Sequence, residues 1–307
     1  MKESTTPGTG PIAVDLSGRS AGHTVVVAGA AVRYWDYAPL EWTPATRTIV
    51  MVHGFRGDHH GLERVVELLP DHRVIMPDLP GFGASPAFDR TEHSVSGYGH
   101  FLAGFLDALA LGSKTILLGH SFGSIVASHF TASRPGRVQA LILVNPIAAP
   151  ALEGPSGHLS KLAIFYYWAS AKLPTPLGNA LLRNWLIVQV MSMSMAKTKD
   201  RALLTFIHGQ HHAYFSRFAN RDMLLEAFRA SVGGTVREVA DRLTLPVLLV
   251  AGAKDEIATL PNQHKLMDLL PDGELVVISD VGHLIHYETP GPAAAAIINF
   301  LERHPAP

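Results

Sequence analysis

The chain has 307 residues, a net charge of −1, 47% apolar and 17% charged residues, and no cysteine. Such a balance argues against nucleic acid or an anionic membrane as the main partner, because both select clustered positive charge. The absence of cysteine excludes disulfides, thiolate nucleophiles and cysteine-based metal sites, and the apolar content predicts a folded globule with a large core.

Residues 1–20, rich in Gly, Pro, Ser and Thr, read as a flexible lead-in. They lack the continuous apolar run of a secretory signal, and no stretch of about 18 apolar residues is present to span a membrane, so a cytoplasmic location is expected. Residues 23–28 and 31–37 read as an antiparallel pair joined at Gly29-Ala30. Strand-like runs follow at 48–52, 73–76, 115–118, 140–144, 247–250 and 275–278. Helical patterns lie between them at 61–69, 95–111, 122–133, 261–270 and 292–303, and residues 305–307 read as a frayed end. The later strands are near-continuous apolar runs, as strands covered on both faces must be, which predicts an α/β fold around a mostly parallel sheet of about eight strands.

Residues 146–236 break the alternation. They hold no convincing strand but several aromatic and Met-rich helical patterns, at 159–173, 177–195, 201–208 and 222–231. A structureless loop of that length does not fit a compact domain, so an inserted helical subdomain is predicted. The expected organisation is a core of 21–145 and 237–307 interrupted by a helical cap of 146–236.

The strongest chemical signal is Gly119-His120-Ser121-Phe122-Gly123, between a strand and a helix. In that G-x-S-x-G context the turn needs small flanking residues and lifts the serine hydroxyl above the strand end, at a helix N-terminus that favours developing negative charge. A serine needs a base to take its proton and an acid to hold that base in the right tautomer. Among 17 histidines, His283 follows a strand in Asp280-Val281-Gly282-His283, and Asp255 follows another in Ala251-Gly252-Ala253-Lys254-Asp255. The chain order nucleophile, acid, base at carboxyl ends of strands selects Ser121, Asp255 and His283. Asp280 and Glu256 read instead as surface carboxylates, Asn145 as unable to supply a negative charge, and His286 as structural. His208, His211 and His212 have the spacing of a metal-binding helix face but no acidic ligand nearby, so no metal is expected.

A tetrahedral intermediate needs two N–H donors. Phe122, just after the nucleophile, supplies one, and Phe55 in His53-Gly54-Phe55-Arg56-Gly57 is the candidate for the second. His53 reads as a buried brace of that turn.

These motifs, with Asp78-Leu79-Pro80-Gly81-Phe82-Gly83, resemble those of serine hydrolases of the α/β-hydrolase superfamily over residues from about 23 to 303. The resemblance implies a sheet of about eight strands with the second antiparallel and a cap inserted after the sixth. It also implies a Ser121–Asp255–His283 triad, oxyanion donors Phe55 and Phe122, a structural role for Asp78, and no cofactor. Relatives that attack carbon through a carboxylate, the epoxide hydrolases and haloalkane dehalogenases, carry aspartate where this chain has Ser121. Cleavage of carboxylic esters through an acyl-enzyme is therefore expected.

Two alternatives stand beside it. Carbon–carbon bond hydrolases of vinylogous diketones share the triad but often have tryptophan where Leu284 stands here, and some chains of this fold are non-catalytic binding modules. Cofactor-free haloperoxidases and acyltransferases share the triad as well.

The inserted region is more apolar than the cover of a solvated helix needs to be, and predicts an apolar acyl pocket lined by Trp168, Trp185, Met191 and Leu284. The expected partner is a small apolar ester, with no nucleic acid and no stable membrane anchor. The outer faces of the same helices suit transient lipid contact or a second subunit, and either a monomer or a homodimer is compatible with the sequence.

Overall fold

The computed structural model describes residues 15–150 and 157–305, with the backbone alone over 157–161. Eight strands form one sheet in the order β1-β2-β4-β3-β5-β6-β7-β8. They are β1 (Ser20–Val27), β2 (Ala30–Tyr37), β3 (Thr48–Val52), β4 (Arg73–Pro77), β5 (Ile116–His120), β6 (Ala140–Val144), β7 (Val247–Gly252) and β8 (Gly273–Ile278). β2 alone runs opposite to the other seven strands. Ala28 and Gly29 form the β1–β2 turn, both at positive φ (49° and 84°), one residue earlier than the sequence suggests. Positive φ at both central positions is what lets a two-residue connection follow the twist of its strands.

The helices around the sheet are α1 (Glu63–Glu67), α2 (Val95–Ala108) and α3 (Phe122–Ser133) before the insertion. The expected insertion, between β6 and β7, carries α4 (Gly157–Lys172), α5 (Thr175–Leu182), α6 (Trp185–Met195), α7 (Arg201–Tyr214) and α8 (Arg221–Gly233). After it come α9 (Leu260–Met267), α10 (Ile285–Glu288) and α11 (Pro290–Arg303). Alternation along β3 sends Val50 and Val52 into a core with Phe105 of α2 and Ile125 of α3, and Ile49 and Met51 into a second core with Val66 of α1 and Phe300 of α11. Both faces are thus dry, which is why the central strands read as unbroken apolar runs.

Two boundaries differ from expectation. Leu16 is buried and the Arg19 guanidinium donates to Ala38 O (2.7 Å) and Leu69 O (3.0 Å), so these two residues fasten the end of the expected flexible lead-in to the core. Residues 1–14 and 306–307, also expected to be flexible, lie outside the described residues. The single helix expected over 177–195 is two, because the Asn184 side chain accepts from the N–H groups of Leu186 and Ile187 and caps a new helix. Conversely α7 runs past Gly209 to Tyr214, since burial of Leu203, Ile207 and His211 outweighs the roughly 1 kcal/mol cost of an interior glycine. The ends of the insertion meet where Val236 N–H donates to Ile147 O (2.9 Å).

Candidate active site

Strand order reverses between β3 and β5, and sheets of this kind bind ligands at the carboxyl ends of the strands at such a point. The two loops leaving those ends carry Phe55 and Ser121. Ser121 has φ 52° and ψ −118°, a conformation foreign to L-residues, and it turns the chain sharply from β5 into α3. The turn closes only because its flanks are bare. A Cβ at Gly119 would lie 2.4 Å from Gly123 O, and one at Gly123 would lie 2.1 Å from Val52 O.

Three distant stretches converge here. His283 Nε2 lies 2.8 Å from Ser121 Oγ, and His283 Nδ1 lies 2.7 Å from Asp255 Oδ2. An ionised carboxylate only accepts, so Nδ1 carries the proton and Nε2 presents its lone pair to the serine hydroxyl. The other Asp255 oxygen accepts from the N–H groups of Ile257 (2.8 Å) and Ala258 (2.9 Å). Burial pushes the Asp255 carboxyl up, but His283 and these hydrogen bonds outweigh it and leave the group below the ordinary carboxylate range.

Phe122 opens α3, so its N–H has no acceptor within the helix. Phe55 follows Gly54, whose position faces the elbow so closely that a Cβ there would lie 3.3 Å from Ser121 Cβ. The Phe55 loop is braced from beneath. Leu79 N–H donates to His53 Nε2 (2.9 Å), which leaves His53 Nδ1–H to donate to Gly54 O (2.8 Å). Asp78 accepts from His59 N–H (2.9 Å) and Ala84 N–H (2.8 Å), a structural role.

Several residues that the sequence left aside hold the site. Asn145, at φ 45°, donates through Nδ2 to His283 O (2.8 Å) and accepts at Oδ1 from Gly252 N–H (3.0 Å). It therefore ties the ends of β6 and β7 to the histidine loop by neutral hydrogen bonds. The signal in the sequence was a polar amide directly after the apolar strand Ala140–Val144. Arg56 is 1% exposed and donates to Phe215 O (2.9 Å), Leu182 O (2.8 Å) and Tyr167 Oη (3.3 Å), fastening the loop beside Phe55 to three helices of the insertion. His120 and His286 are buried with ring centroids 4.2 Å apart, and burial pushes His120 down to about 3.

The expected substrate-contacting residues need correction. Trp168 is 48% and Trp185 63% exposed, with their rings against Phe165 and His212, so neither is an inward-facing pocket residue. Met191 is half-buried. Leu284 is buried with Leu203, Ile207 and Tyr287, where it packs α7 against the segment after His283. The aromatic group that meets the Phe55 loop is instead Tyr167 of α4 and Phe228 of α8, with centroids 5.7 and 5.8 Å from that of Phe55. An open depression of about 400 Å³ is lined by Asp255 together with Lys197, Lys254, Glu256 and Thr259.

His208 and His211 both hydrogen-bond Ser192 Oγ (2.6 Å each), and His212 bonds Gln189 Oε1 (2.7 Å). Asp58, His59 and His60 bring three ligand-type atoms within 4.8 Å of one another. There, His59 Nδ1 bonds Asp78 and His60 Nδ1 bonds Asp58.

Residues 47–290 match the family described as alpha/beta hydrolase fold, and the chain belongs to that family. It is 24% identical to Lipase 3 of Moraxella sp. (strain TA144), over 77% of this chain and 71% of that protein. It is 28% identical to pimeloyl-[acyl-carrier protein] methyl ester esterase of Chromobacterium violaceum, over 76% of this chain and 86% of that one. A thermophilic esterase from Thermogutta terrifontis has the same fold, with a TM-score of 0.71 at 22% identity over 94% of this chain and all of that one.

Proposed function

We propose that the protein hydrolyses carboxylic esters through an acyl-enzyme on Ser121. The observation that carries this reading is the continuous line Ser121 Oγ, His283 Nε2, His283 Nδ1, Asp255 Oδ2, with both links under 3 Å. Similarity to a lipase and an esterase supports it. In the first half-reaction Oγ attacks the ester carbonyl while Nε2 takes its proton. The C–O bond to the alcohol then breaks, and the imidazolium returns that proton to the leaving alkoxide. In the second half-reaction water, deprotonated by the same nitrogen, attacks the acyl carbon and restores the serine. Phe55 and Phe122 N–H groups hold the negative oxygen in both halves, and loss of one such donor costs about 3 kcal/mol.

Residues 146–236 act as a cap in this reading, and Tyr167 and Phe228 with Phe55 form an apolar wall for the acyl chain. The Tyr167 and Phe228 centroids are 4.0 Å apart, a stacked pair whose rings suit hydrocarbon, while the Tyr167 hydroxyl is taken up by Arg56. A preference for medium or longer acyl groups over acetyl is expected.

Two measurements test this. A fluorophosphonate probe labels the wild type and not Ser121→Ala, and no labelling of the wild type removes the nucleophile. A series of p-nitrophenyl esters gives kcat/KM rising from acetate to longer chains, and a maximum at acetate removes the apolar wall. Turnover of a vinylogous diketone with no ester cleavage would move the chemistry to carbon–carbon hydrolysis.

A further inference from the structure

Helices of a soluble surface turn polar residues outward, and two helices of the insertion do the reverse. Along α4, Leu162, Phe165 and Trp168 share one face and are 63%, 60% and 48% exposed. On the opposite face Tyr167 and Ser170 are buried. Along α6, Leu186, Val190 and Met193 recur at i, i+4 and i+7 and are 62%, 59% and 61% exposed, with Val188 and Ser192 turned inward. Trp185 begins that helix in the open, and Leu173 after α4 and Leu177 in α5 are exposed as well. Each stripe is a run of exposed apolar residues along one helix face, and such a run marks a contact site rather than single residues scattered over a surface.

The same segment is basic. Residues 157–199 contain Lys161, Lys172, Arg183, Lys197 and Lys199 and no aspartate or glutamate, within a chain whose net charge is −1. The overall balance conceals a polar distribution of charge, with the excess acid elsewhere. Lys172 and Lys199 are exposed, while the Arg183 guanidinium donates to Phe218 O (3.0 Å) and Lys197 pairs with Glu256 (2.9 Å). Exposed Trp, Phe and Leu interleaved with Lys and Arg, without acid, match the two forces of a bilayer surface. Apolar rings and chains enter the headgroup boundary while cations meet anionic phosphates.

We propose that the outer face of α4 and α6 docks the protein reversibly on a membrane surface that contains anionic lipid. A second copy of the chain fits less well, because a two-fold interface would set this basic face against itself. No helix among the described residues is long and apolar enough to span the bilayer, so the contact is peripheral. This inference does not depend on the ester reading, since it concerns a surface and is tested without turnover.

The test is sedimentation of the full chain with vesicles of phosphatidylcholine alone and of phosphatidylcholine mixed with phosphatidylglycerol. Binding is expected to the mixed vesicles, to weaken as salt shortens the Debye length below about 10 Å, and to be slight with phosphatidylcholine alone. Lys172→Glu with Lys199→Glu, and separately Leu186→Gln with Val190→Gln, each weaken binding roughly tenfold or more. Unfolding midpoints near wild type show that these surface variants are folded. Absence of binding to mixed vesicles, equal binding to both vesicle types, or variants that bind as wild type would overturn the proposal. So would light scattering that shows a lipid-free dimer which the same variants dissociate, because the face would then be a subunit interface.

Discussion

Asp255 holds His283 with one oxygen at 2.7 Å and spends the other on two backbone N–H groups of its own loop, so the acid cannot rotate without losing three hydrogen bonds. That arrangement fixes both the position and the tautomer of the imidazole. Asp255→Asn keeps the shape but can offer Nδ1 an amide N–H, which favours the tautomer whose Nε2 carries the proton. Under the proposed chemistry kcat falls by about 10⁴. Steady-state kinetics on a p-nitrophenyl ester check this, and a loss below tenfold would deny Asp255 the role.

Asn145 positions the histidine from the other side. Asn145→Ala removes the bonds to His283 O and Gly252 N–H, deletes no group of the proposed proton-transfer line, and frees the His283 loop to shift. Displacement of a catalytic group by about 1 Å costs up to roughly 100-fold. The expected outcome is kcat down by about 10- to 100-fold, KM little changed, and slower labelling by a fluorophosphonate. A change in KM alone would assign Asn145 to substrate binding.

Ser121, the proposed nucleophile, is held in a backbone conformation that only glycine adopts at low cost. Ser121→Gly should relieve about 1 kcal/mol of strain and abolish activity, whereas Ser121→Ala abolishes activity and keeps the strain. Urea unfolding of the two variants gives the comparison, and Ser121→Gly less stable than Ser121→Ala would show that the turn is not strained.

Arg56 bridges the Phe55 loop to three inserted helices through two carbonyls and a tyrosine hydroxyl. An ammonium cannot span that fork. Arg56→Lys is therefore expected to lose about 2 kcal/mol of stability, read from urea unfolding. An unchanged midpoint would mean that the carbonyls find other donors.

Burial lowers His120 and His211 to about 3 and His93 to about 4, from an ordinary 6.5, and drives His286 down in the same direction. Their folded values lie below their unfolded ones, so the unfolded chain binds more protons as pH falls. Stability from these groups is complete above about pH 6.5 and is lost on the way down towards 3, at up to about 1.4 kcal/mol per pH unit for each histidine. Unfolding free energy measured from neutral to mildly acidic pH should decline, and His120→Asn should make the decline shallower. A flat profile would mean that these imidazoles are solvated.

The strands and the tight turn around Ser121 were legible from neighbouring residues alone, as was the placement of Asp255 and His283 just past strands. Alternation of apolar residues, Gly119 and Gly123 around Ser121, and Gly282 before His283 are local constraints, and local constraints are written in neighbouring residues. What faces what was decided only by the fold. Trp168 and Trp185 read as pocket residues because apolar composition does not state which side of a helix is covered. Asn145 was set aside because its value comes from two loops more than a hundred residues away, and Tyr167 and Phe228 gain their place beside Phe55 only when α4 and α8 pack together over that loop. Those contacts arise from burial of non-neighbouring surfaces, a free energy that no short window of sequence contains.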